Sequence, residues 1–208
     1  MSIKESYNSW ADQYDTNSNK TRDVENIALR KVLSSIHFDS CLEVGCGTGK
    51  NTVWLLEKAS NVLAIDFSES MLKKAKEKIS SNKVEFKQVD ITQPWPLNNK
   101  AFDLVSFSLV LEHIAKLDHV FSEAGKVLKK GGYLYLGELH PFKQFSGNKA
   151  KFDTPSGTQV LECYTHHMAD FIQTARANGL SVIDLDEHFD EGDSNSIPRI
   201  LTILFKKF

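Results

Sequence analysis

Cysteine is scarce in this chain of 208 residues. Cys41, Cys46 and Cys163 are odd in number and lack the spacing of a zinc site, so neither a disulfide framework nor a bound metal is expected. A reducing, cytoplasmic setting follows. Long apolar runs are also missing. No stretch nears the ~20 residues that span a bilayer, and Met1-Ser2-Ile3-Lys4-Glu5-Ser6 has no apolar core of a secretory signal. A membrane partner is therefore not expected. Nor is there an excess of charge of one sign: 25 basic against 27 acidic side chains leave a net −2, which disfavours a nucleic-acid partner. Repeats, linkers and low-complexity tracts are absent, so residues 1–208 read as one domain. Oligomeric state leaves no mark in the sequence.

What is present is a rhythm of apolar strands and amphipathic helices. Tyr7, Trp10 and Tyr14 are spaced to share one side of an N-terminal helix. A helix that pins itself to the body and a lid over a ligand both fit that spacing, and the spacing itself favours the first. Residues 22–36 predict a second helix with Thr21 or Asp23 near its start. Strands are expected at 41–44, 61–65, 84–89, 102–108 and 133–136, with helices at 51–59, 68–79 and 117–129 between them. This alternation predicts an α/β fold with a doubly wound, mostly parallel sheet. After strand five the rhythm breaks. Residues 149–165 read as a hairpin turning at Thr154-Pro155-Ser156-Gly157, and 166–178 as a helix stopped by Gly179. Residues 181–185 and 199–205 read as a final antiparallel pair.

The chain centres on Cys41-Leu42-Glu43-Val44-Gly45-Cys46-Gly47-Thr48-Gly49-Lys50, a strand that runs into three alternate glycines and then a helix. Such a loop brings backbone N–H groups against a ligand with no side chain between. A phosphate-gripping P-loop is excluded, because Asn51 stands where Ser or Thr should hold magnesium and Val44 where the first glycine belongs. A dinucleotide loop is weakened by Lys50 in the slot of the third glycine.

The pattern Glu43-x-Gly45-x-Gly47-x-Gly49 resembles the first motif of class I S-adenosylmethionine-dependent methyltransferases, of the small-molecule, type 11/25-like kind. Asp66 ends the second strand about 20 residues further on, the place of the acid that accepts ribose hydroxyls. Asp90-Ile91 resembles the family's adenine site. The run Phe102–His113 is similar to its fourth-strand motif, and Leu128-Lys129-Lys130-Gly131-Gly132-Tyr133-Leu134 to its turn into strand five. Tyr7-x-x-x-Ala11-x-x-Tyr14-Asp15 looks like the segment that closes over the cofactor in many members, which raises the lid reading of the first helix. The likeness covers roughly residues 7–140.

The resemblance implies a seven-stranded, Rossmann-like methyltransferase fold with an antiparallel last strand and a hairpin insertion after strand five. In it, residues 1–36 form lid helices and 141–165 a substrate-side insertion. It implies S-adenosylmethionine as cofactor and a small-molecule methyl acceptor. The implied cofactor residues are Tyr14, Glu43, Gly45, Cys46, Gly47, Asp66, Phe67, Met71, Asp90, Ile91, Ser108, Leu109 and His113, with Cys46 present for its size. A non-catalytic S-adenosylmethionine-binding module and an NAD-linked oxidoreductase are the competing readings. A base should sit where the strands exit. His140, just past strand five beside Glu138, is the candidate, although a histidine bonding the turn before Pro141 fits equally. His166 and His167 are weaker candidates. Phe142, Phe145, Phe152 and Tyr164 fit packing within the hairpin, the reading the residues favour, or a partly aromatic acceptor wall. Lys143, Lys149 and Lys151 fit a solvated face, the commoner case, or an attraction for anions.

Overall fold

The structure is a computed structural model that describes every residue except Met1, Asn98, Asn99, Pro155, Ser156, Glu191, Gly192 and Ser194. In chain order the elements are α1 Ile3–Trp10, α2 Lys20–Leu33, β1 Ser40–Val44, α3 Thr52–Lys58, β2 Asn61–Asp66, α4 Glu69–Lys78, β3 Val84–Gln88 and β4 Phe102–Ser108. A 3-10 turn over Leu111–His113 follows, then α5 Leu117–Val127, β5 Leu128–Leu139, α6 Pro141–Phe145, β6 Lys151–Thr154 and β7 Gly157–Val160. The chain closes with α7 Met168–Ala177, β8 Leu180–His188 and β9 Ile200–Lys207.

Seven strands form one sheet in the order β3-β2-β1-β4-β5-β9-β8, and β6 pairs with β7 separately. The contacts among β1 to β5 are parallel, whereas β9 runs antiparallel to both β5 and β8. The expected sheet and its antiparallel final strand are thus present. The strand order reverses at β1 and β4, which opens a crevice at their carboxyl ends, the usual ligand position in such sheets.

Period-two alternation sorts the core into two layers. Leu42 and Val44 of β1 point to one face, where Val105, Phe107, Leu134 and Leu136 meet Phe121 of α5 and Phe171 of α7. Cys41 points to the other, where Val62, Ala64 and Leu104 meet Leu29 and Leu33 of α2, Leu55 of α3 and Leu72 of α4. Both faces of the sheet are covered, which explains the near-continuous apolar run of β4.

Several boundaries differ from the sequence reading for local reasons. Helix α2 starts earlier, because the Asn19 side chain accepts the Arg22 N–H and forms the cap expected of Thr21 or Asp23. Helix α1 ends at Trp10, so Tyr14 lies in the turns beyond it rather than on its face. Strand β5 extends to Leu139 along β9. The β6–β7 hairpin matches the expected one, but Pro155 and Ser156 of its turn lie outside the described residues, as does part of the connection between β8 and β9.

Candidate active site

The crevice holds a cavity of about 250 Å³. Its floor is the glycine loop, pinned to the sheet because the Gly45 and Cys46 N–H groups both donate to the Ile65 carbonyl, at 2.8 and 3.0 Å. Gly45 has φ +72°, and a Cβ there would come within 2.2 Å of Val110 Cγ2. Gly47, at φ +53°, is different: a Cβ would meet only Tyr14, at 4.0 Å, and would project into the ligand space. Asp66 closes the loop from the end of β2. Its Oδ2 accepts the Gly47 N–H at 2.9 Å and its Oδ1 the Ser68 N–H at 2.8 Å. Burial pushes its pKa up to about 6, against the pull of those backbone donors. Each oxygen keeps a lone pair for a ligand hydroxyl.

Tyr14, Gly45, Gly47, Asp66, Phe67, Asp90, Ile91, Ser108, Leu109 and His113 line this cavity together. Leu109 is the only described non-glycine residue at positive φ, +56°, with its N–H donated to the Gly137 carbonyl at 2.8 Å. Such strain is held only where the surroundings over-determine it, here at the cavity wall. Ile3, Tyr7, Val89, Thr92, Val110 and Ile114 also line the cavity and were not assigned to it from sequence. Tyr7 had a signal in the lid motif. Ile3 had none.

Three expected cofactor residues stand behind the wall instead. Glu43 is buried under the loop and accepts a hydrogen bond from Thr52 Oγ1, with its pKa pushed up to about 8 by burial. Cys46 is buried among the α2 and α3 side chains. Met71 packs with Trp10, Ala11 and Phe152 in a third apolar cluster that fastens α1 and the β6–β7 hairpin to α4.

A second, larger cavity of about 640 Å³ adjoins the first and shares Tyr7, Tyr14 and Leu109 with it. Its walls include Trp10 and Phe152, whose rings stack at 5.0 Å, together with Arg22, Glu112, Lys149, Lys151 and Arg199.

The family model described as "Methyltransferase domain" matches residues 42–136, the stretch that carries most of β1 to β5 and the glycine loop. A protein of Listeria monocytogenes described as an S-adenosylmethionine-dependent methyltransferase superposes with TM-score 0.77 at 25% identity, over 89% of this chain and 99% of that one. Residues 42–136 are a methyltransferase domain, set in the fold of the S-adenosylmethionine-dependent methyltransferases. Among curated relatives, an uncharacterized methyltransferase of Emericella nidulans is 25% identical over 88% of this chain and 77% of its own length. A malonyl-[acyl-carrier protein] O-methyltransferase of Buchnera aphidicola is 31% identical over 71% of this chain, which spans only 58% of that relative.

In this methyltransferase His140 does not face either cavity. It is fully buried as the N-cap of α6: its Nδ1 accepts the Phe142 N–H at 3.2 Å, and its Nε2 donates to Glu187 at 2.9 Å. Burial lowers its pKa, with Glu187 pulling the other way. The base expected from sequence has one nitrogen occupied by the turn and the other by Glu187 of β8. The adjacent Glu138 is buried as well. Its Oε1 accepts the Val110 and Leu111 N–H groups at 3.0 and 2.9 Å, and burial pushes its pKa up to about 8. Glu138 therefore shapes the strained corner at Leu109.

His166 bonds the Ile114 carbonyl at 2.8 Å and His167 caps α7, so neither lines a cavity. Phe142 and Phe145 are exposed, and of the four expected aromatic acceptor residues only Phe152 lines the larger cavity. Arg22 was overlooked in sequence. Its guanidinium sits 4.0 Å over the Tyr14 ring, donates to the Tyr14 and Asn17 carbonyls, and has its Nε buried without a hydrogen-bond partner.

Proposed function

We propose that this enzyme transfers the methyl group of S-adenosylmethionine to a small-molecule acceptor held in the larger cavity. One observation carries the reading: the cavity of the cofactor motifs adjoins, across the shared residues Tyr7, Tyr14 and Leu109, a second cavity lined by the N-terminal segment and the insertion. S-adenosylmethionine supplies a methyl group already activated on a sulfonium, so the protein's task is to orient two partners and exclude water. A non-catalytic binding module would have no use for the second space, and Lys50 in place of the third glycine counts against a dinucleotide.

Within this reading Asp66 accepts the ribose hydroxyls, and Asp90 and Ile91 meet the adenine. The Gly45 and Gly47 backbone leaves room for the chain between them, and Ser108, Leu109 and His113 form the opposite wall. Arg22 lines the larger cavity, donates to the Tyr14 and Asn17 carbonyls and has Asp15 within reach of its charge; it is the cation this reading assigns to the donor's carboxylate. Trp10, Phe152 and Leu139 offer the acceptor an apolar wall, while Lys149, Lys151 and Arg199 stand at its rim.

Calorimetry with S-adenosylmethionine and S-adenosylhomocysteine tests the donor half, and no heat of binding at millimolar concentration would overturn it. Release of S-adenosylhomocysteine across a panel of hydroxyl, amine and carboxylate acceptors tests the other half. Turnover on a protein or nucleic-acid substrate alone would overturn the small-molecule assignment.

A further inference from the structure

The junction between the two cavities carries a cluster of which the donor reading uses His113 alone, and only as a wall. Glu112, His113 and Cys163 place a carboxylate oxygen, an imidazole nitrogen and a thiol sulfur within 4.8 Å of one another. Two segments distant in sequence bring them together. The 3-10 turn after β4 supplies the first two, and the extended chain after the β6–β7 hairpin supplies Cys163. The Tyr164 N–H donates to the Glu112 carbonyl at 2.7 Å and fastens those segments to each other.

The side chains are set up as ligands. His113 Nδ1 lies 2.9 Å from the Glu162 carbonyl. A carbonyl only accepts, so Nδ1 carries the proton and Nε2 presents a lone pair to the cluster. A metal-ligating histidine is normally oriented through such a bond to its other nitrogen. Glu112 is 7% exposed; the Cys163 thiol and the Gln144 side chain reach its carboxylate, yet its Oε2 stays buried with no hydrogen-bond partner, a costly state for that atom. Among the described cavity walls, no lysine or arginine pairs with it.

We propose that the Glu112 carboxylate, His113 Nε2 and Cys163 Sγ form a binding site for a divalent transition-metal ion of the zinc type. One thiolate, one imidazole and one carboxylate suit a borderline ion such as Zn²⁺ or Co²⁺ rather than Mg²⁺ or Ca²⁺. Binding forms three metal–ligand bonds, breaks the Cys163 S–H bond and releases its proton to solvent, with no electron transferred. Three protein ligands leave the fourth position open, as in catalytic rather than structural zinc sites. The cluster lies between the two cavities, because Glu112 lines the larger and His113 the smaller. The Tyr7 hydroxyl, 2.9 Å from His113 Nε2, competes for the same lone pair. Metal binding therefore displaces it and loosens the hold of α1 on the site.

The test needs neither donor nor acceptor, so its outcome is separate from that of the methyl-transfer reading. The full, tag-free chain is stripped with a chelator and titrated with CoCl₂ and ZnCl₂. One equivalent of Co²⁺ should give the thiolate-to-cobalt charge-transfer absorption, bleached by Zn²⁺. Cys163→Ser should abolish that band, and Glu112→Gln should weaken Zn²⁺ binding by about tenfold or more. Tyr7→Phe, which removes the competitor, should bind at least as tightly as the parent chain. Cys163 is only partly buried, so Cys163→Ser is expected to keep the fold, and circular dichroism checks this. Absence of the charge-transfer band in the parent protein, or a band that survives in Cys163→Ser, overturns the site.

Discussion

The Tyr7 hydroxyl reaches across the cofactor cavity to His113 Nε2, 2.9 Å away, and joins the first helix to the turn after β4. Because His113 Nδ1 donates to the Glu162 carbonyl, its Nε2 must accept from Tyr7. One imidazole thus ties together the lid, the strand-four corner and the segment after the hairpin. The Tyr7 ring also meets Phe67 at 5.7 Å and His113 at 5.5 Å, both edge to face.

Loss of that hydroxyl should loosen the lid with little effect on the core. Tyr7→Phe removes one hydrogen bond, worth about 0.5–1.5 kcal/mol. The expected result is donor affinity weaker by about 2- to 13-fold, with the thermal midpoint nearly unchanged. Calorimetry with S-adenosylhomocysteine reads the first and a melting curve the second. Unchanged affinity would show that the lid does not bear on the donor.

Asp66 organises the loop and lines the smaller cavity at once, so two substitutions separate its roles. Asp66→Ala should weaken donor binding by about 3 kcal/mol or more, through lost charge-assisted hydrogen bonds to the ribose and a loosened Gly47. Asp66→Asn keeps the shape but not the charge and should fall between. Parent-protein affinity should also decline as pH drops below about 6, where the carboxylate takes up its proton. An affinity independent of pH between 5 and 7 would remove Asp66 from the ribose.

Buried acids should shape stability at neutral pH. Glu43 and Glu138 have folded-state pKa values of about 8, well above their unfolded values, because burial disfavours the charged form. Between those limits the folded state holds more protons than the unfolded one, so stability falls as pH rises. His140 and His188, whose pKa values are lowered by burial, act in the opposite direction but only in acid. The interval from about pH 6.5 to 8 therefore isolates the carboxylates. The thermal midpoint should decline across it, and less steeply in Glu43→Gln or Glu138→Gln. A midpoint that climbs over that interval would contradict the assignment.

His140→Ala should cost stability rather than catalysis. The substitution removes the cap of α6 and leaves Glu187 without its partner, a loss of about 1 kcal/mol or more. Turnover per folded molecule should stay within a few-fold of the parent. A loss of about 10²-fold with an unchanged melting curve would restore His140 as the general base.

The local parts of this protein were legible in its sequence. Strand β1, the glycine loop, Asp66 and Asp90 lie where periodicity and strand ends place them, because alternation and backbone freedom act over a few residues. The doubly wound parallel sheet followed from the alternation of strand and helix, and the sequence resemblance identified the cofactor. Distance in the chain hid the rest. His140 looked available because its sequence neighbours do not include Glu187, which β8 brings to it across the sheet. Cys163 looked solitary because only the folded hairpin sets it beside Glu112 and His113. The size and walls of the larger cavity likewise depend on how α1 and the β6–β7 hairpin pack through Trp10 and Phe152, a long-range contact that no local pattern encodes.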